Sequence, residues 1–286
     1  MEKINHFFEL TRLKKPIGYM LLFWPCIWGL TVAFDFSNNI QVYLKFCFLF
    51  FCGAVLMRSA GCIINDIADK DFDSKVKRTK KRPIAFGNVS VKVGLLYSLI
   101  LCLMAFGVLL QFNFYTIILA LCSMPLAFSY PYMKRFTYWP QLFLGVTFNY
   151  GLILGWTAIY ADLSILPFVF YFGAIFWTLG YDTIYGFQDI KDDEIIGVKS
   201  TSIKFKKNPK IFLTFCYLLT FITILTLGII MQFNLFYYIG LALIGYLFFN
   251  QIVMFKKNSA KICLKIFKSN NLLGLIIFLN IFIGKL

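Results

Sequence analysis

The chain has 286 residues, of which 60% are hydrophobic, 20% aromatic and 14% charged, with a mean hydropathy of +0.76. Soluble domains run at roughly 45–50% apolar and about 25% charged, so a water-soluble globular protein is excluded and an integral membrane protein is indicated. The formal net charge of +15 invites a nucleic-acid partner, but its distribution along the chain excludes one.

A helix needs about 17 to 25 apolar residues to cross a bilayer, and runs of that length in lipid are helical. In chain order the hydrophobic runs predict spans over residues 17–34, 42–64, 91–112, 115–130, 139–160, 165–187, 211–231, 235–255 and a shorter 271–284. The expected fold is an all-α bundle of nine transmembrane helices, forming a single domain over residues 1–286. The last helix is short enough to be re-entrant. Lysine and arginine fill residues 3–15, 70–92, 134–135, 191–210 and 256–268, while the connections near 35–40, 113, 161–162 and 233 carry none. With Arg58 counted alongside the loop it precedes, only Lys45 and Lys285 fall on the other side. The positive-inside rule then places the N-terminus and the basic loops in the cytoplasm.

Eight cysteines are scattered without a C-x-x-C pair, and His6 is the single histidine, which removes zinc clusters and histidine-based triads. Neither a transit peptide nor a cleavable signal is evident. The Lys-, Ile-, Asn- and Phe-rich composition suggests an AT-rich genome, so a bacterial inner membrane is expected rather than a mitochondrial one.

The acidic residues are concentrated. Of 13 in the chain, four lie in residues 66–73 and five in 182–194, at the ends of the second and sixth spans and some 116–120 residues apart. Each window is followed by a basic stretch, as in a weak duplication of a four-helix unit. Such a repeat would bring both acidic lips together across a pseudo-two-fold axis. Asp66, Asp69 and Asp73 stand at i, i+3 and i+7, one face of a continuing helix. Asp182, Tyr185, Asp189 and Asp193 follow the same rule. Half-buried like charges need a cation, and Mg²⁺ suits them, because it takes one or two carboxylates and completes its shell with water and substrate phosphate. Two facing clusters would hold Mg²⁺ around a diphosphate. Solvated helix ends are the bland alternative. An ion- or proton-coupled transporter is a third reading, weakened because transporter acids tend to lie at the midplane.

Phosphate oxygens also need donors. Lys77, Arg78 and Arg82 follow the first cluster, Lys134 and Arg135 end the fourth span, and Lys191 and Lys199 follow the second cluster. Arg58, inside the second span, is costly unless it is paired or faces a polar cavity.

RSAGCIINDIADKDFDSKVKRTKKRP (58–83) resembles the first signature of the UbiA-type polyprenyltransferases, N-D-x-x-D-x-x-x-D followed by R-T-x-x-R-P. YDTIYGFQDIKDDEIIGVKST (181–201) resembles the second, in the form characteristic of the branch acting on 4-hydroxybenzoate in ubiquinone synthesis; Gly186 stands where that branch often has Ala. RLKKPIGYMLLFWPCIW (12–28) and YPYMKRFTYWPQ (130–141) are similar to the family's opening helix and its fourth-to-fifth connection. The resemblance implies Mg²⁺-dependent transfer of a polyprenyl group from its diphosphate to the ring carbon ortho to the hydroxyl of 4-hydroxybenzoate. A different aromatic acceptor is the alternative within the superfamily. A CDP-alcohol phosphatidyltransferase would need a D-G-x-x-A-R run, which is absent from the sequence.

On this reading Asp66, Asp69 and Asp73, with Asn65 orienting, form the first metal set, and Asp189 and Asp193 the second. Asp182 orients the acceptor or takes the ring proton, with Tyr185 as a hydrogen-bond partner. Arg135 and Lys134 meet the diphosphate or the benzoate carboxylate, and Arg78 and Arg82 the diphosphate. Arg58 and Lys191 complete the expected substrate contacts. The active-site loops are 65–90 and 188–210. Asp71 and Asp192 point off the shared faces.

Overall fold

A computed structural model describes residues 2–286, with side chains from Ile4 onward. Among the described residues the secondary structure is helical throughout. A short amphipathic α1 (Glu2–Thr11) precedes α2 (Ile17–Ala33) and the long α3 (Ile40–Ala68), which leads into α4 (Lys70–Asp73) and α5 (Pro83–Phe86). Next come α6 (Val91–Leu109), α7 (Phe114–Ser129), a 3₁₀ turn at Tyr130–Tyr132 and α8 (Met133–Phe136). α9 (Pro140–Asn149) and α10 (Gly151–Tyr160) share one span, and α11 (Ile165–Gly186) leads into α12 (Ile190–Ile196) and α13 (Thr201–Lys204). The chain closes with α14 (Pro209–Ile230), α15 (Leu235–Met254) and α16 (Ala260–Lys285).

Among the described residues eight helical segments are long and apolar enough to cross a membrane, and Ile17–Ala33, at 17 residues, is a shorter apolar helix beside them. The expected short last helix is corrected. α16 runs 26 residues, because Ser259 caps its first turn through the Ile262 amide and no Gly or Pro interrupts the lysine-rich stretch before Asn271. Lysine is a good helix former, so its charges do not end the helix. The span over 139–160 is broken at Tyr150, a discontinuity not predicted from the sequence.

At the end of the bundle poor in lysine and arginine, neutral side chains cap the helices. Asn39, Asn113 and Asn234 accept from the amides of Gln41, Thr116 and Tyr237 at 2.9, 2.9 and 3.2 Å. The core is an aromatic spine of Trp28, Trp177, Tyr181, Tyr217 and Tyr237, all fully buried. All but Tyr181 find a partner for the polar tip where lipid offers none: Trp28 Nε1 donates to the Gly274 carbonyl at 3.0 Å, Trp177 Nε1 to Asn270 Oδ1 at 2.9 Å, Tyr217 to Gln251 Oε1 at 2.7 Å and Tyr237 to the Ile224 carbonyl at 2.6 Å. Gly29, Gly151 and Gly155 let α2 and α10 approach backbone to backbone, as small residues do between membrane helices.

Candidate active site

Both acidic lips are built on a broken helix. α3 carries Asp66 in its last turn and stops at Ala68; Asp69 takes φ −98°, ψ 4°, and α4 resumes beyond it. α11 stops at Gly186, and Asp189, with φ −112°, ψ 7°, opens α12. Each aspartate is the pivot between a span and a short lip helix, in the sparsely allowed bridge region. The expectation of continuing helices is therefore corrected. The helical hydrogen bonds Asp69 N to Asn65 O (2.9 Å), Asp73 N to Asp69 O (2.8 Å) and Asp193 N to Asp189 O (2.9 Å) persist. Asp69 and Asp73 therefore keep the face begun by Asn65 and Asp66, and Asp193 that of Asp189, whereas i−3 bonds over 187–189 separate the latter pair from Asp182 and Tyr185.

Asp66, Asp69 and Asp73 are 2%, 3% and 6% exposed. Buried carboxylates require partners, and the structure supplies them from three directions. Arg12 donates to Asp66 Oδ1. Arg82 Nη1 bridges Asp66 Oδ1 at 3.1 Å and Asp73 Oδ2 at 2.6 Å. Lys134 Nζ reaches Asp69 Oδ2 at 2.6 Å, and Asn65 Nδ2 donates to the same oxygen at 3.1 Å. Asp69 Oδ1 is buried with no partner among the described residues. Burial pushes the Asp69 carboxyl above the ordinary carboxylate value, against the pull of Lys134.

The second lip meets the first through Arg78. Its Nε lies 2.8 Å from Asp189 Oδ2 and 3.0 Å from Oδ1, its Nη1 donates to the Tyr185 hydroxyl at 3.3 Å, and its guanidinium lies 5.6 Å from the Tyr185 ring centre. The Lys77 amide donates to Asp192 Oδ2 at 3.2 Å, which engages a residue the sequence reading left aside. Asp193 is half-buried beside these groups, and burial together with the neighbouring Asp189 charge pushes its carboxyl up to about 6.

Deeper in the bundle, Arg58 lies eight residues before Asp66 on α3, and Asp182 seven before Asp189, about 12 and 10 Å further in by helical rise. The Arg58 guanidinium lies 5.4 Å from the Phe148 ring centre, and its Nε is buried without a hydrogen-bond partner among the described residues. Gly18 makes room for it, since a Cβ there would lie 2.9 Å from Nε. The Tyr181 hydroxyl and Asn149 Oδ1 are likewise buried and unpartnered among the described residues. Tyr130 stands within electrostatic reach of Asp182, Arg58 and Asp69. An unpaired buried polar group costs roughly 1–3 kcal/mol, and a cluster of them beneath the lips is what a polar ligand would complete.

Among the described residues no three His, Cys, Asp or Glu side chains converge as a self-sufficient metal cluster. The donor set is nonetheless of the right chemistry. It is all oxygen, it includes the orphaned Asp69 Oδ1, and a hard cation that leans on one or two carboxylates plus phosphate does not need three.

Other expected residues fall elsewhere. Arg135 donates to the Ala68 carbonyl, capping α3, and lies between Phe72 and Tyr132 at 5.3 and 5.2 Å from their ring centres. Lys191 is exposed. The Lys199 amide bonds the Lys134 carbonyl at 3.0 Å, tying the second lip to α8. Arg12 was not singled out from the sequence, where one basic residue among several near the N-terminus gives no signal of its own. The structure holds it at a φ of 54° between α1 and α2, aimed at Asp66.

This arrangement defines a helical membrane protein with cations and carboxylates paired at one lip and buried unpartnered polar atoms beneath them. A family model, the UbiA prenyltransferase family, matches residues 22–280. The chain is 39% identical to the 4-hydroxybenzoate octaprenyltransferase of Psychromonas ingrahamii, over 100% of this chain and 98% of that protein. It is 42% identical to the mitochondrial 4-hydroxybenzoate polyprenyltransferase of Homo sapiens, over 99% of this chain and 76% of that one. Among solved structures it resembles a UbiA homolog from Aeropyrum pernix K1, with a TM-score of 0.78 and 22% identity over 94% of this chain and 98% of that one. It also resembles a UbiA homolog from Archaeoglobus fulgidus bound to DMAPP and Mg²⁺, with a TM-score of 0.69 and 17% identity over 96% and 97%. At these identities the structural likeness speaks to fold. The chain belongs to the UbiA prenyltransferase family.

Proposed function

We propose that this protein transfers a polyprenyl group from polyprenyl diphosphate to the carbon ortho to the hydroxyl of 4-hydroxybenzoate, in ubiquinone biosynthesis. The observation that carries this reading is the stacking of two layers. Four cations (Arg12, Arg78, Arg82 and Lys134) are interleaved with paired carboxylates at the lip, above a buried layer holding Arg58, Tyr181 and Asn149 with unsatisfied polar atoms. The names of the two relatives support the acceptor, and the Archaeoglobus homolog's ligands support the donor.

Asp66, Asp69, Asp73, Asp189 and Asp193 would hold Mg²⁺, which when bound supplies Lewis-acid neutralisation of the diphosphate. Arg78, Arg82 and Lys134 stabilise the charge that develops on the leaving diphosphate as the allylic C–O bond breaks. Arg12, paired with Asp66 at the lip, holds it in place. Arg58 meets the carboxylate of the acceptor, whose ring carbon forms the new C–C bond. Asp182 takes the ring proton or steadies the phenol, beside Tyr130. The chemistry requires water to be excluded from the reacting carbon, since water would quench an allylic cation. The loops over 65–90 and 188–210 form the mouth, on the cytoplasmic side by the positive-inside rule, and the composition favours a bacterial inner membrane.

The test is prenyl transfer by membranes expressing the chain, supplied with 4-hydroxybenzoate, geranyl diphosphate and Mg²⁺. Product that vanishes with EDTA, with Asp66→Asn and with Asp189→Asn supports the reaction and both lips. Absence of product from folded protein, with longer diphosphates also tried, overturns the acceptor assignment.

A further inference from the structure

The last third of the chain carries a second feature that the reaction does not use. After Glu194 there is no acidic residue, yet eleven lysines follow. Five of them, Lys256, Lys257, Lys261, Lys265 and Lys268, gather where α15 ends and α16 begins. Lys261, Lys265 and Lys268 stand at i, i+4 and i+7, one exposed face of α16. Like charges at that spacing repel by a few tenths of a kcal/mol per pair, and Glu194, the nearest acid in sequence, pairs with Lys206 instead. Topology alone explains basic loops, but it does not explain Lys265, which lies about 7 Å along the helix from its start.

Beside Lys265 a groove of about 290 Å³ opens between α15 and α16. Towards the start of α16 its wall mixes Asn250, Gln251, Lys265 and Ser269 with Met254 and Ile266, and deeper in it is apolar, with Leu247 and Leu272. Gln251 and Ser269 are satisfied within the protein: Tyr217 donates to Gln251 Oε1 at 2.7 Å, and Gln251 Nε2 reaches Ser269 Oγ at 3.3 Å. Asn250 is not. It is half-buried within the helix α15, and its side chain makes no hydrogen bond with any described residue. Its amide opens onto the groove, where a polar group bound from outside the chain can accept from it.

We propose that this groove is a binding site for an anionic glycerophospholipid. Its phosphate would sit on Lys265 with Asn250 donating, and an acyl chain would follow Leu247 and Leu272 inward. Basic pockets between membrane helices take anionic headgroups for this reason, at about 1 kcal/mol per nearby Lys or Arg. The inference is independent of the acceptor assigned above. The groove's inner wall also touches the core: Asn270 Oδ1 accepts from Gln251 and from Trp177, whose ring packs on Tyr181 at 4.9 Å. An occupied groove therefore braces the helix that carries Asp182.

The test uses the purified full chain in detergent, titrated with phosphatidylglycerol, phosphatidylcholine or inorganic phosphate. It reads the thermal transition and the number of lipids retained in native mass spectrometry. Phosphatidylglycerol alone should raise the transition and remain bound. The pair Lys265→Gln with Asn250→Leu should weaken half-saturation by about tenfold, while Lys256→Gln with Lys257→Gln, exposed just past α15 and outside the groove lining, should not. Prenyl transfer by both pairs in neutral lipid reports that they fold. Equal weakening by the two pairs, or none by the first, overturns the site in favour of diffuse attraction. Displacement of the lipid by inorganic phosphate at matched concentration overturns it in favour of a soluble anion.

Discussion

Arg78 and Asp189, 111 residues apart, form a two-point ion pair across the mouth, with Nε 2.8 and 3.0 Å from the two carboxylate oxygens. The pair joins the loop after the first acidic lip to the pivot of the second, so neither lip is positioned alone. Arg78→Ala should lower kcat/KM by about a hundredfold, the usual effect of removing one donor from a developing anion. Because the two residues act on one another, Arg78→Ala combined with Asp189→Asn should cost less than the product of the single losses. Losses that multiply would show that Arg78 works on the diphosphate without reference to Asp189. The kinetic constants of the four proteins in the cycle decide it.

Gly18 and Arg58 make a second coupled pair, at the acceptor. A side chain at Gly18 would collide with Arg58 Nε, so Gly18→Val should push the guanidinium off its seat over Phe148. KM for 4-hydroxybenzoate should rise about tenfold, the scale of one charge-assisted hydrogen bond, while KM for the prenyl diphosphate stays put. Arg58→Met should do the same, and the two together should add nothing. Phenol, which has no carboxylate, should be indifferent to either change. If phenol suffers equally, the effect is on packing and Arg58 does not meet the carboxylate.

How legible this was from sequence depends on the physics of each part. The spans and the acidic faces were readable, because hydropathy and an i, i+3, i+7 spacing are local. The pivots at Asp69 and Asp189 were not, since at Asp69 the bonds to Asn65 and from Asp73 keep helical spacing while φ and ψ change, and before Asp189 the chain only tightens to i−3 bonds over residues 187–189. Arg12 was invisible because its role comes from a left-handed turn that no glycine or asparagine announces. The start of α16 was missed because lysine was read as loop, although it favours helix as readily as lipid-level solvent. The break at Tyr150 has Gly151 beside it, but single glycines are too common in membrane helices to mark one.

Asp193 gives a pH dependence whose sign is fixed. Its carboxyl in the folded chain is held near 6, above the ordinary carboxylate value of about 3.9, so the folded state binds this proton more tightly than the unfolded one. Stability from this group is therefore complete below about pH 4 and is lost as pH rises through 6. Asp193→Asn removes the penalty. Without divalent cation the variant should be more stable than the parent at pH 8, by about 1–3 kcal/mol, and the difference should shrink towards pH 5. Added Mg²⁺ should raise the thermal transition of the parent more than that of the variant. A variant less stable than the parent at pH 8 would mean the Asp193 charge is already compensated in the folded chain.

Arg12 separates backbone strain from charge. It is a non-glycine residue in the left-handed region, at a φ of 54°, and it shares the buried Asp66 with Arg82. Arg12→Gln keeps the strain and removes the ion pair, leaving Asp66 with one cation and costing about 1–3 kcal/mol. Arg12→Gly removes the ion pair too but suits the turn, so it should recover roughly 1 kcal/mol of that loss. Activity should not follow stability. Both variants should lose prenyl transfer to a similar degree, because in each Asp66 is free to swing out of the carboxylate face. Thermal unfolding in detergent and initial rates on the same preparations make the comparison. A glycine variant that recovered activity together with stability would show that Arg12 serves the turn between α1 and α2 and has no part in holding Asp66 for the reaction.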